Sequence, residues 1–259
     1  FGGNFTGGAE TQVGGALDDT LTANQGAAAR DVLIGGRGND TLVSDGGPDI
    51  LIGGSGADNL QLLDVNFSGN RRLDGGLGAD TLSLGGNILH LDLTAIPDNR
   101  IQEIEVIDLT GTGNNALTLD VREVLNISDH SNTLTVLRDE GDIVNTGPGW
   151  TEIGREFIDG RFFQVLTQGA ATLRIEDLSV TVNGNTAIFN GTPNADSIVY
   201  RVGSGQIRIN GVIYALPSNI EMVQVDALGG NDVLNLIGTS ANESGLVRPE
   251  AVFFEHDAA

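Results

Sequence analysis

Three contiguous blocks of nine residues decide the fold: Gly35-Gly-Arg-Gly-Asn-Asp-Thr-Leu-Val43, Ser44-Asp-Gly-Gly-Pro-Asp-Ile-Leu-Ile52 and Gly53-Gly-Ser-Gly-Ala-Asp-Asn-Leu-Gln61. Each has an acid at its sixth position (Asp40, Asp49, Asp58) and a leucine at its eighth (Leu42, Leu51, Leu60). Upstream, block 26–34 supplies Asp31 and Leu33. Block 14–22, after a slip at residues 23–25, supplies Asp19 and Leu21. An interruption at 62–74 is followed by block 75–83, with Asp80 and Leu82. An acid and a leucine held at fixed spacing through all these blocks define an internal repeat. Leading glycines permit the positive φ of a tight turn, and the short strand that follows turns its leucine inward. One such rung cannot bury its own leucine, so rungs must stack into a solenoid whose core is the leucine ladder. Stacking also crowds the carboxylates, which repel unless a cation lies among them. Ca²⁺ suits such a place, because it accepts carboxylate and carbonyl oxygens in flexible geometry.

Composition points the same way. The chain of 259 residues has 35 acidic residues against 13 basic ones, all arginine, for a formal net charge of −22. So negative a surface repels phosphate backbones and anionic lipid, which makes nucleic acid and membrane surfaces poor partners, with no nucleic acid and no membrane insertion expected, and favours cations. With no Cys, disulfide scaffolds, thiolate metal sites and thiol nucleophiles are excluded; with no Lys, so is lysine-based covalent chemistry. No apolar run approaches the roughly 20 residues needed to cross a bilayer as a helix. The opening at Phe1, without Met or a basic leader, reads as a segment of a longer protein lacking a signal peptide.

Blocks 35–43, 53–61 and 75–83 resemble the glycine-rich nonapeptide repeat of RTX (haemolysin-type) secreted bacterial proteins. The resemblance implies an all-β fold: a parallel β-roll, the RTX-type solenoid, in the N-terminal third, followed by further β-solenoid or β-sheet domains. It implies Ca²⁺ held between stacked turns on each side of the roll, by the carboxylates of Asp19, Asp31, Asp40, Asp49, Asp58 and Asp80. Carbonyls around Gly35, Gly36, Gly38, Gly53, Gly54, Gly56, Gly75, Gly76 and Gly78 would complete the shells. Block 44–52 departs from the pattern, with Ser44 and Asp45 in place of the leading glycines, and blocks 14–22 and 26–34 have Leu17 and Ala29 at the fourth position. The resemblance further implies type I secretion, an extracellular or cell-surface location and, for the longer protein, a scaffold or adhesive stalk that touches a cell surface or polysaccharide. An accessory calcium module of a secreted hydrolase or epimerase, its catalytic domain upstream, is the alternative.

Four segments are expected: 1–13, the tail of an upstream domain or a linker; 14–90, the calcium-binding roll; 91–178, an irregular β domain; and 179–259, a second, degenerate β-repeat domain. Within the third, β-like runs at 88–93, 104–109, 116–121, 133–137, 162–167 and 171–175 are separated by Gly/Asn/Asp turns, with no long amphipathic helix. This stretch is similar to one that follows RTX repeats in large exoproteins and adhesins. Phe1-Gly-Gly-Asn-Phe-Thr-Gly7 resembles the tail of an FG-GAP propeller blade. In the last segment Asp196 and Asp232 recover the sixth position of a weak repeat. As isolated acids at Gly-rich turns they are read as turn caps rather than calcium ligands.

No catalytic constellation is present. H-E-x-x-H, G-x-S-x-G and P-loop signatures are missing, and His90, His130 and His256 lie far apart in sequence. Arg71 and Arg72 are expected to pair with neighbouring acids. Trp150 is expected to be buried in the middle segment, its alternative role being contact with a carbohydrate. The third positions of the blocks hold no row of Thr, which excludes an ice-binding face, and the N-x-[ST] sites at Asn4, Asn66, Asn126, Asn190 and Asn242 are read as silent.

Overall fold

The computed structural model describes residues 9–23, 29–67, 71–128, 130–239, 243–248 and 251–256, the last two as strand backbone. The Phe1–Gly7 resemblance, the opening of block 26–34 and the sites at Asn4 and Asn242 lie outside the described residues. The chain divides into two compact units: Phe1–Thr151 with Leu166–Ile175, and Glu152–Val165 with Glu176–Ala259.

The first unit is built on two parallel sheets. One runs through Thr11–Val13, Val32–Arg37, Ile50–Ser55, Arg72–Leu77 and Ile101–Gln102. The other includes Thr20–Thr22, Thr41–Ser44, Asn59–Leu62, Thr81–Leu84, Val106–Asp108, Thr133–Leu137 and Ala171–Glu176. Successive nonapeptides alternate between the sheets, so two blocks make one coil and neighbours in a sheet lie 18 residues apart where the blocks are contiguous. The register is leucine on leucine: Leu33, Leu51 and Leu73 in one sheet, and Leu21, Leu42, Leu60 and Leu82 in the other. Leu33, Leu42, Leu51, Leu60, Leu73 and Leu82 are fully buried. At about 1.5–3 kcal/mol for each buried leucine, this ladder is the main apolar stabilisation of the coils.

The interruption at 62–74 does not break the ladder. Leu73 takes the rung above Leu51, and the insertion lengthens the coil to 22 residues on the facing edge. Nor do the coils stop at residue 90. Ile101 pairs beside Leu73, Ile107 beside Leu82, and Val136 beside Ile107, all buried. A third parallel sheet, His90–Asp92, Ala116–Thr118 and Ile143–Asn145, is added where the coils become longer. The run expected to be extended to 121 ends at Thr118 and is followed by the helix Val121–Ile127. Asp120 caps this helix, accepting from the N–H groups of Arg122 and Glu123. Trp150 is half-buried against the first unit's core and donates its indole N–H to the Thr146 carbonyl at 2.9 Å.

The second unit has its own core, including Phe162, Phe189, Tyr200, Tyr214 and Val223. Two parallel pairings, Thr186–Asn190 with Met222–Asp226 and Ser197–Arg201 with Val233–Ile237, make one long coil. Antiparallel hairpins are attached to each side of it. Among the described residues no helix is long and apolar enough to cross a membrane.

Candidate metal centre

The coiling divides the repeat aspartates between two edges of the roll. On one edge Asp19, Asp40, Asp58 and Asp80 each precede a strand of the second sheet, and Glu105 extends the column. Each backbone N–H donates to the carboxylate one coil on. Asp19 N–H reaches Asp40 Oδ1 at 2.8 Å, Asp40 reaches Asp58 Oδ1 at 2.7 Å, Asp58 reaches Asp80 Oδ1 at 2.8 Å, and Asp80 reaches Glu105 Oε2 at 2.9 Å. On the other edge Glu10 N–H donates to Asp31 Oδ1 at 2.8 Å, and Asp31 N–H to Asp49 Oδ1 at 3.0 Å.

One oxygen of each inner acid of the first column is therefore engaged. The other, Oδ2 of Asp40, Asp58 and Asp80, is buried and accepts no hydrogen bond. These oxygens lie beside the leading glycines: a Cβ placed on Gly35, Gly53 or Gly75 would fall within 3.0 Å of the Oδ2 of Asp40, Asp58 or Asp80 respectively. It would come equally close to the carbonyl of Gly53, Gly75 or Glu103 in the next coil. Unpaired carboxylate oxygen thus lies on the same side as carbonyl oxygen, which a cation would relieve and which no donor among the described residues relieves. Two further carbonyl columns run alongside. The Gly36 and Gly54 oxygens abut Gly54 and Gly76, and the Gly38 and Gly56 oxygens abut Gly56 and Gly78. Gly54 and Gly56 have φ of +117° and +135°, so there a side chain would meet both strain and a backbone oxygen.

Electrostatics follow from burial without a counter-charge. Asp80 is pushed up from 3.8 to about 6, first by burial and then by the charges of Asp58, Glu105 and Glu103, against the hydrogen bond from the Asp58 N–H. Burial likewise raises Asp58 and Glu105, with Asp40 adding to the first and Glu103 to the second.

Among the described residues no three His, Asp or Glu side chains converge as a metal cluster. A cation on this edge would draw on one carboxylate per coil together with backbone carbonyls, a donor set that fits Ca²⁺. Asp40, Asp58, Asp80 and the glycines from Gly35 to Gly78 named above are brought together on that edge. Asp19 ends the column, its Oδ2 already accepting the Gly15 N–H at 2.6 Å. Asp49, expected as a ligand, is not part of this column. It stands on the opposite edge with both oxygens engaged, Oδ1 by Asp31 N–H and Oδ2 by the Ser44 hydroxyl at 2.7 Å. Asp31 lies on that edge too. Asp196 caps its turn, accepting from Thr192 N–H at 2.7 Å and from the Thr192 hydroxyl at 2.8 Å, and its own N–H donates to Asp232 Oδ1. His130 is exposed and paired with Glu103 at 2.7 Å.

Glu105 was not anticipated, and Arg71, though it pairs with Asp64 as expected, takes an unexpected place. Glu105 stands two residues before the buried Ile107, the same acid-to-apolar spacing as Asp80 to Leu82, so a repeat search that admits Glu finds it. Arg71 holds the same offset from Leu73 with opposite charge, and only the register reveals its place.

Residues 13–47 and 25–60 match the family described as the RTX calcium-binding nonapeptide repeat (4 copies). The match covers the N-terminal repeats, whose role in RTX-type proteins is structural calcium binding, and the parallel coils found here are the β-roll it implies. No curated protein and no solved structure matches the chain.

Proposed function

We propose, from the RTX match at residues 13–60 and the buried acid column, that this chain is a calcium-folded structural segment of a larger secreted bacterial protein, used as scaffold or adhesive stalk. The observation that carries this reading is the set of unpaired, buried Oδ2 atoms of Asp40, Asp58 and Asp80, each beside a leading glycine where a carbonyl of the next coil, that of Gly53, Gly75 or Glu103, also lies. Calcium would be held there by these three carboxylates, with carbonyls of Gly35, Gly36, Gly38, Gly53, Gly54, Gly56, Gly75, Gly76 and Gly78 as the pool of neutral donors. Bound, it supplies positive charge between coils that otherwise repel. At low cytosolic calcium the acid column opposes folding, and at the millimolar-class concentrations outside cells the coils close. Extracellular location and type I export follow from the same reading, since a chain unfolded in the cytosol is competent to be threaded out.

The test is calcium stoichiometry by equilibrium titration of the wild-type chain and of Asp58→Ala. Loss of bound calcium in the variant is expected. An unchanged stoichiometry would refute the assignment.

A further inference from the structure

The second edge of the roll ends in a positive charge. The register places Arg72 beside Ile50, and Ile50 beside Val32, so Arg71 occupies the position that Asp49 and Asp31 hold one and two coils earlier. Backbone bonding repeats in step: Ile50 N–H donates to Asp31 O, and Arg72 N–H to Asp49 O. Where the repeat calls for an aspartate, the chain thus supplies a guanidinium, and it is fully buried.

That guanidinium donates through all three of its nitrogens. Its Nε donates to the Gly47 carbonyl at 3.0 Å, Nη1 to the carboxylate and carbonyl of Asp64, and Nη2 to Ser44 Oγ at 3.3 Å. The group lies over the Phe67 ring, 5.6 Å from its centroid. Ser44 Oγ in turn donates to Asp49 Oδ2, linking the cation to the repeat acid through one hydroxyl. The acceptors held by Arg71 are the kinds a calcium ion would take between coils: a turn carbonyl, a second carbonyl and a carboxylate. The contrast between edges is plain. Oδ2 of Asp40, Asp58 and Asp80 has no partner, whereas Oδ2 of Asp49 has one.

We infer that Arg71 is the resident cation of this edge, its guanidinium standing where a bound metal would stand, so that the Asp49 turn closes without calcium. The residues of the 62–74 interruption that bring in Asp64, Phe67 and Arg71 then have a structural purpose: they replace a metal site with a covalently attached charge. Calcium uptake is confined to the other edge, and the contrast rests on reading that edge as the calcium edge.

The experiment is anomalous diffraction from crystals of the whole chain soaked in terbium, a calcium analogue, together with calcium titration of Asp49→Asn beside Asp58→Asn. Terbium is expected along the Asp40–Asp58–Asp80 edge, with none within about 2.6 Å of the Asp49 carboxylate. Asp49→Asn is expected to bind as many calcium ions as wild type, and Asp58→Asn fewer. Terbium coordinated by Asp49, or loss of a calcium equivalent in Asp49→Asn, would overturn the inference. Terbium absent from both edges would refute the calcium reading of the acid column while leaving the Arg71 edge as stated.

Discussion

Replacing Asp80 by asparagine should change the sign of its effect on stability according to whether calcium is present. In metal-free buffer Asp80 is a buried carboxylate raised from 3.8 to about 6, chiefly by burial and then by Asp58, Glu105 and Glu103. Below about 3.8 the group is protonated in folded and unfolded chains alike and costs nothing. Between there and about 6 the unfolded chain releases its proton first, so stability falls as pH rises, and above about 6 the full penalty is present. At about 1.4 kcal/mol per pH unit, the interval amounts to at most about 3 kcal/mol at neutral pH. Asparagine removes the charge and keeps an oxygen for the Asp58 N–H. Its amide would replace Oδ2 beside Gly75, where the Glu103 carbonyl also lies, so that a donor stands on the side of an acceptor. Without metal at about pH 7.5, Asp80→Asn should therefore stabilise the roll by about 1–3 kcal/mol, and the gain should vanish near pH 4. In millimolar calcium the same change removes a proposed ligand and should destabilise. Thermal unfolding followed by circular dichroism, with and without calcium at both pH values, reads all four corners. Destabilisation by Asp80→Asn in metal-free buffer at neutral pH, or the same sign with and without calcium, would refute the reasoning.

Other perturbations have simpler signs. Leu51→Ala empties a fully buried rung and should cost about 3–5 kcal/mol in urea unfolding, with or without calcium. Gly54→Ala places a methyl group against the Gly36 carbonyl at a φ of +117°, and should both lower the melting temperature and weaken calcium binding in titration calorimetry. Arg71→Met strips the charge from Asp64 and from the Ser44–Asp49 pair, and should cost about 3–5 kcal/mol in chemical denaturation without changing calcium stoichiometry.

What could be read from the sequence is what the period determines. Leu33, Leu42, Leu51, Leu60 and Leu82 had to be core, and Asp40, Asp58 and Asp80 had to recur at one place on the turn, because every block repeats the same nine-residue geometry. The period does not say which acids share an edge. That depends on two blocks making one coil, which separates Asp49 from Asp40 and Asp58 although the three are evenly spaced in the chain. Nor does it see through the interruption, where Leu73 and Arg71 keep the register after an insertion has changed the count. Past residue 90 the coils lengthen to 25 residues and more, and their rungs are held by Ile101, Ile107 and Val136 without glycine turns to mark them. The helix at Val121–Ile127 was signalled by Asp120-Val-Arg-Glu123, an acid cap with Glu three residues on, but its brevity hides it in a β-rich stretch. Among the described residues the second unit recovers the acid ladder at Asp196 and Asp232, 36 residues apart, because hairpins inserted between its strands dilute the repeat.

Calcium closure of the acid column is proposed to fold the coils. Its most direct test is a calcium titration of the chelated chain followed together by far-ultraviolet circular dichroism and calorimetry. A gain of β-structure and a rise in unfolding temperature, saturating with calcium, is the predicted result. Identical spectra and an identical unfolding temperature in chelator and in millimolar calcium would contradict it.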